Sequence, residues 1–401
     1  MSNLAIINLA RKYRFALIIT TIAAVFVTHI KLITDIDLKT YEFYNNTSFS
    51  EQEKFFAPIY PKSNLNTVIL VTENDYLKSL KFLKVAYLFS INKKNSSVKS
   101  ISLNPNFLID YGGENTTLYD LLNKDDVTIE KIISSLSSLI GLRIDRYIVI
   151  SESEIIANAY NWGLTLKVAY SEGIVNYDYN KILNTDEVLN LLVNTKSSFT
   201  NDNLSKIYLD LFNSNFEKFK NILFLYRLIW EGKNIADLLE TNFSRDEVFN
   251  LILTLNNSDL IINSTYLGKN EGKESESLLG VLEPNYKEID NKVSQTFFSL
   301  DSVKEQARIE IFNATLQTGL AARAKRLLKN KGLTIVKEGN YFEQLEETII
   351  FFPGTNTADF PNTLVDIGEE LFQNYKLEQE TYSNNYSGDI IVVLGKQSIG
   401  I

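Results

Sequence analysis

The chain reads as an α/β protein of two domains, and three observations carry that reading. Its 401 residues, 45% hydrophobic and 22% charged, suffice for two cores and are ordinary globular composition. A block near the C-terminus runs strand, turn, helix and stop without interruption. Upstream of it, short apolar runs alternate with longer helical patterns, the order expected of an α/β fold.

The C-terminal block is the clearest. Ala307, Ile309 and Ile311 alternate with Arg308, Glu310 and Phe312, the period-two pattern of a half-buried strand. Leu320, Ala321, Ala324, Leu327 and Leu328 recur at helical spacing. Gly332 stands where a glycine ends a helix. The basic residues between Arg323 and Lys331 read either as an outer charged face or as a surface for a polyanion.

Upstream, Thr67–Val71 and Val85–Ser90 are short apolar runs, and 92–97 forms a turn into a strand over Val98–Leu103. A helix is expected over Ile129–Ile140, then a strand in 141–150. Helical patterns return over 185–193, 203–225 and 244–255, the last with Ser244 and Glu247 as a capping box. A polar loop covers 268–277, and a short interdomain linker falls in 298–303.

Composition removes several function classes. A formal net charge of -9 argues against a nucleic-acid partner, which needs a basic face. With no cysteine there is no disulfide, thiolate metal site or thiol nucleophile. Phe15–Ile30 carries no formal charge and follows Arg11, Lys12 and Arg14. A membrane helix needs about 20 apolar residues, which Lys31 permits by snorkelling while Leu32 and Ile33 extend the span. The expectation is a cytoplasmic stub (1–14), an uncleaved transmembrane signal anchor (15–33) and a stalk (34–63), with the N-terminus inside. The only histidine, His29, falls in that span and is no general base.

The C-terminal block, with Asn313, Thr315, Gly319, Leu320 and Ala321, resembles the LytR C-terminal domain, in which a strand ends in Asn-Gly-Thr/Ser and Gly-Leu-Ala opens a helix. Ala314 departs from the usual glycine. The likeness continues through Thr348–Gly354 and closes on Asp389–Gly395, so residues 301–401 are assigned to this small α/β domain. Residues 64–300 resemble the LytR-CpsA-Psr (LCP) catalytic domain, an α/β/α unit with a mixed sheet. The pieces in register are Ser102–Asn106, Gly141–Asp145, Leu183–Leu189, Thr241–Val248 and Val281–Asn285.

Members of that family with intact sites transfer a glycopolymer from a polyprenyl pyrophosphate to the cell wall, usually with Mg2+. The resemblance implies arginines on the pyrophosphate and carboxylates on the metal, and here those positions differ. Pro105-Asn106 replaces an Arg-Asp pair, Lys84 falls where an acidic residue is expected, and only Lys196, Asp202 and Lys206 keep the charge type. Lysine lacks the guanidinium fork that grips phosphate bidentately. No arginine lies between Arg14 and Arg143.

The expected protein is therefore a single-pass protein of the bacterial cytoplasmic membrane with its domains outside. It takes part in envelope assembly as a non-catalytic binder or scaffold of a wall glycan or envelope protein, a pseudoenzyme without cofactor. The alternative is a divergent glycopolymer phosphotransferase using Arg143, Arg146, Lys196 and Lys206, with Mg2+ and Asp202 as the one metal ligand. Lesser candidates each have a structural reading beside them. Arg143 and Arg146 form an anion site or a solvated pair around Asp145. Gly112-Gly113 form a phosphate loop or a plain turn, and Asp125-Asp126 a cation site or a helix cap. Trp162 and Trp230 are sugar platforms or packing residues.

Overall fold

A computed structural model describes residues 64–398, apart from 76–79, 93–96, 112–113, 125–126, 169–180, 195–199, 217–239, 244–260, 277, 279, 354–358, 372–375 and 379–385. The stub, anchor and stalk expected over 1–63 lie outside the described residues, as do Lys196, Trp230, the Ser244 capping box and the Gly112-Gly113 and Asp125-Asp126 pairs. Among the described residues no helix is long and apolar enough to cross a membrane.

The first domain contains β1 (Asn64–Asp75), β2 (Leu80–Asn92), β3 (Ser97–Leu103), β4 (Leu108–Tyr111), β5 (Glu114–Thr117), α1 (Ile129–Ile140), β6 (Arg146–Ser151), α2 (Glu152–Trp162), β7 (Leu166–Lys167), β8 (Ile182–Leu183), α3 (Thr185–Asn194), α4 (Asn201–Phe216), β9 (Glu240–Thr241), β10 (Ile261–Leu267), β11 (Gly272–Glu274), β12 (Leu282–Pro284) and α5 (Tyr286–Phe297). Then come α6 (Leu300–Glu305), β13 (Arg308–Asn313), α7 (Leu320–Asn330), β14 (Thr334–Asn340), β15 (Ile349–Phe351), α8 (Pro361–Leu371), β16 (Lys376–Glu378) and β17 (Ile390–Leu394).

Local chemistry sets the helix ends. Thr128 accepts the amide of Lys131 at the start of α1, and Gly141 ends it in the left-handed region at φ 64°, where a side chain is costly. Ser151 caps α2 in the same way, on the amide of Glu154.

Six strands form a mixed sheet in the order β10-β3-β2-β1-β6-β9. The pairs β10–β3 and β1–β6 are parallel, whereas β2 runs antiparallel to both neighbours. Apolar side chains leave both faces, as a sheet covered on two sides requires. One core joins Val71, Val85 and Tyr87 to α2, α3 and α4; the other joins Leu70, Leu88 and Ile101 to α1 and α5. Trp162 packs against the first core, which favours its packing role.

The second sheet runs β14-β13-β17-β15-β16. Here the half-buried expectation for β13 is corrected, since only Arg308 is exposed. β13 is central, and its second face is closed by Phe312, Phe351 and Val393 with Tyr386 packed on them. Glu310 is fully buried; its Oε1 accepts the amides of Ser387 and Gly388 at 2.6 and 2.8 Å, while its Oε2 has no hydrogen bond among the described residues and faces Lys337 Nζ at 3.8 Å.

The linker expected over 298–303 is shorter, because α6 begins at Leu300. Helix α6 belongs to the second domain by packing. Its Glu305 accepts the amides of Asn362 and Thr363 at 2.9 and 2.8 Å and so caps α8, and Ser302 donates to Asp366. The loop expected over 268–277 contains β11, paired with β12.

Candidate functional site

Strands β3 and β10 end level with each other, Leu103 beside Leu267, and α4 begins close by. In open α/β sheets this carboxyl edge is where ligands bind. Four side chains converge there. Asp202 Oδ1 accepts from Asn104 Nδ2 at 2.9 Å and from the Tyr266 hydroxyl at 2.5 Å. Its Oδ2 meets Lys206 Nζ at 2.9 Å, one helical turn on, and that ammonium lies 5.1 Å from the Tyr266 ring centroid. Asn104 is buried and also accepts the amide of Asn106, whose side-chain oxygen takes a bond from Asn201.

Each bond has an electrostatic consequence. Burial opposes the charge on Asp202, and the bonds from Tyr266, Lys206 and Asn104 overcome that, holding its carboxyl below the ordinary range. Burial and the adjacent Asp202 push the Tyr266 hydroxyl far above its ordinary value, so it stays a donor. Gly268 is needed by close approach: a Cβ there would lie 2.3 Å from the Tyr266 ring and 2.8 Å from Asp202 Oδ1.

Along the same edge a β-bulge opposite Val71 and Thr72 inserts Lys84. This lysine is buried, pairs with Glu73 at 2.6 Å and lies 5.7 Å from the Tyr119 ring centroid. Nearby, buried Glu152 accepts from Tyr208 at 3.1 Å.

Of the bases offered by the sequence, the described ones, Arg143, Arg146 and Lys206, do not assemble. Arg146 is level with Thr67, Phe89 and Ser100. It is therefore three residues short of the edge where β3 ends and three strands away, about 14 Å at the usual strand spacing. The reading of Arg143 and Arg146 as a solvated pair is also corrected. Asp145 and Arg146 are buried, with Arg146 Nη1 on the Asp145 carbonyl at 2.7 Å. Arg143 Nε stands 3.6 Å from Asp145 Oδ1, and that carboxylate also takes the Asn66 amide at 3.1 Å. The pair anchors the β1–β6 start. Asp202 and Lys206 do come together, as a closed ion pair.

Mg2+ is commonly held by one or two carboxylates together with waters and phosphate oxygens, and Asp202 is the carboxylate the sequence offers for it. Asp202 is held by one ammonium, one amide and one hydroxyl, and among the described residues no group of three or more acidic or histidine side chains could hold a metal.

The second-domain motif is built as a turn. Asn313 Oδ1 accepts the amide and hydroxyl of Thr315 at 2.9 and 2.7 Å, and its Nδ2 donates to the Gln317 carbonyl at 2.8 Å. Ala314 donates to Leu394 and accepts from Leu345, and it is not among the residues with positive φ. The glycine it replaces is thus not needed for this turn. Gly319 takes φ 81° before α7, while Leu320 and Ala321 are core residues. Sequence spacing missed Asn104 and Tyr266; the signal available was a lone tyrosine in the run Ile261–Leu267.

A search among curated proteins finds no match for the chain. Three solved structures illustrate its likenesses. Bacillus subtilis TagT is 13% identical, with a TM-score of 0.42 over 59% of this chain and 93% of that one. Bacillus subtilis TagV is 14% identical, with a TM-score of 0.42 over 59% and 98%. A structure described as the LytR-CPS2A-psr family protein YwtF (TagT) with bound octaprenyl pyrophosphate lipid is 12% identical, with a TM-score of 0.42 over 60% and 93%. Residues 306–397 match the family model described as LytR cell envelope-related transcriptional attenuator, and this part of the chain is a LytR C-terminal domain.

Proposed function

We propose that the chain is a membrane-anchored protein of bacterial envelope assembly that binds a glycan or an envelope partner and performs no transfer itself. The LytR C-terminal domain supports the envelope setting. The uncharged run Phe15–Ile30 behind Arg11, Lys12 and Arg14 supports a single anchor with the N-terminus inside. One observation carries the non-catalytic part: among the described residues, the cations at the carboxyl edge are already neutralised. Lys206 is paired with Asp202 and Lys84 with Glu73, while Arg143 and Arg146 serve Asp145 elsewhere. A pyrophosphate bound there would have to break those pairs, and it would gain no bidentate contact from a described arginine in return.

The test is to incubate residues 64–401 with a polyprenyl-pyrophosphate-linked saccharide, with and without Mg2+, and follow release of the lipid carrier. No release from folded protein is expected. Mg2+-dependent release lost in Arg143→Ala/Arg146→Ala protein would replace this reading with the phosphotransferase.

A further inference from the structure

Three parallel neighbours, β14, β13 and β17, end together at the carboxyl edge of the second sheet, with Asn340, Asn313 and Leu394 level. The loops after β13 and β14 carry Leu316 and Phe342, 82% and 81% exposed, the two most exposed large apolar side chains among the described residues. Apolar residues exposed singly are ordinary on a protein surface. These two leave adjacent strands, about 4.8 Å apart, and together make an apolar patch that contributes no packing to the fold.

The patch is held in place. Tyr341 donates its amide to the Asn313 carbonyl and Leu345 to that of Ala314, each at 2.9 Å, and Lys396 donates its amide to the Leu345 carbonyl at 2.9 Å. Tyr341 and Leu345 pack on the core of Phe312, Phe351 and Val393, and the Phe342 ring lies against Tyr341 with centroids 4.3 Å apart. On the other side, the bonds of Asn313 to Thr315 and Gln317 fix the turn that presents Leu316. A partner would meet apolar groups already ordered, which removes much of the entropy cost of binding to loops.

The rim selects the partner. No charged residue lies in 313–319, whereas 341–347 holds Glu343, Glu346 and Glu347 and no cation. Lys396 takes up Glu346 at 2.5 Å. Glu343 and Glu347, both exposed, have no cation partner among the described residues. Carboxylates around apolar tips repel an anionic bilayer or polymer, and they repel the same patch on a second copy.

We propose that this carboxyl edge of the LytR C-terminal domain docks a short segment of another envelope protein in which apolar side chains are flanked by lysine or arginine. The apolar groups would sit on Leu316 and Phe342, and the cations on Glu343 and Glu347. Such docking extends the partner binding proposed above and rests on that reading for the envelope setting alone.

The experiment is a fluorescence-anisotropy titration of the full chain in non-ionic detergent, with protein-free micelles subtracted. The probes are a labelled nonapeptide alternating lysine with leucine and its counterpart with glutamate in place of lysine. The lysine peptide is expected to bind at least tenfold more tightly than the glutamate peptide. It should lose at least tenfold in affinity both in Leu316→Ser/Phe342→Ser and in Glu343→Lys/Glu347→Lys protein. All four positions are exposed, so the melting temperature should be unchanged in either variant. Equal binding of the two peptides, or lysine-peptide binding that survives either double variant, would overturn the proposal. So would self-association in sedimentation that Leu316→Ser/Phe342→Ser abolishes, which would give the patch to a second copy. Quenching of Phe342→Trp fluorescence by brominated lipid in nanodiscs, beyond that of the parent protein, would give it to the bilayer and equally overturn the proposal. A failed titration leaves the carrier-release assay on the first domain untouched, so the two readings fail separately.

Discussion

Arg326 and Asp290 join the two domains through a guanidinium fork: Nε lies 2.9 Å from Oδ1 and 3.0 Å from Oδ2, and Nη2 lies 2.7 Å from Oδ1. The same guanidinium also caps the carbonyl end of α1, where positive charge complements the helix dipole. One side chain of the LytR C-terminal domain therefore finishes a helix of its neighbour.

Arg326→Ala is expected to cost about 1–3 kcal/mol of stability, the scale of charge-assisted bonds at a partly exposed site. Arg326→Lys should recover less than half, because an ammonium cannot form the fork. Urea unfolding of residues 64–401 measures both. Full recovery by lysine would show that charge alone suffices and geometry does not matter.

Two glycines separate backbone strain from crowding. Gly319 has φ 81° with open space where a Cβ would go, while at Gly141 (φ 64°) the added atom would lie 2.4 Å from Asn330 Nδ2 and 2.9 Å from Arg326 Nε. Gly319→Ala should cost about 1 kcal/mol, the left-handed penalty alone. Gly141→Ala should cost more, and its excess should shrink in an Asn330→Ala background. A melting series checks this; equal losses at the two glycines would deny the interdomain contact any weight.

The carboxyl-edge network predicts coupling between residues far apart in sequence. Tyr266→Phe removes one donor to Asp202 and is expected to cost about 1 kcal/mol, whereas Asp202→Ala strands Asn104, Tyr266 and Lys206 together and should cost about 2–4 kcal/mol. In the double-mutant cycle Tyr266→Phe should become nearly neutral once Asp202 is gone. Since the folded carboxyl lies below its ordinary range, its stabilisation is present above the unfolded carboxylate pKa and disappears as pH falls through the folded one. Additive losses in the cycle would dismiss the network.

Local periodicity is legible wherever one chain segment decides its own structure. The helix expected over Ile129–Ile140 has those bounds, and Gly332, at φ 89°, takes the left-handed turn expected after α7. What escapes is set by a second element. The helical pattern of Arg323–Lys331 separates core from non-core positions, yet it cannot say which non-core side chains meet another domain. Arg326 and Asn330 turn onto α1 and α5, and Lys331 is buried against Glu370 at 2.7 Å. β13 misled for the same reason, as its polar-looking alternation hides Glu310, a buried carboxylate whose Oε1 is bonded from 77 residues away. The network of Asn104, Asp202 and Tyr266 spans three segments that no spacing rule links.

Lys99 makes the junction pH-sensitive in a defined direction. Its Nζ donates to the Phe298 carbonyl at 2.8 Å and lies 5.4 Å from that residue's ring centroid. Burial and then the positive Lys331 lower its pKa from 10.5 to about 8, against the pull of Asp366. Between those values the unfolded chain holds a proton that the folded protein has released, so this group makes stability rise with pH from about 8 towards 10.5. Buried Tyr87 and Tyr208, whose hydroxyls are pushed above their ordinary value, act oppositely above about pH 10, where unfolded tyrosine ionises. The Lys99 effect is therefore read between pH 7.5 and 9.5. Urea midpoints should climb across that interval in the parent protein and stay flat in Lys99→Met, which should also be the more stable of the two at pH 7. An unchanged slope in Lys99→Met would assign the titration to another group.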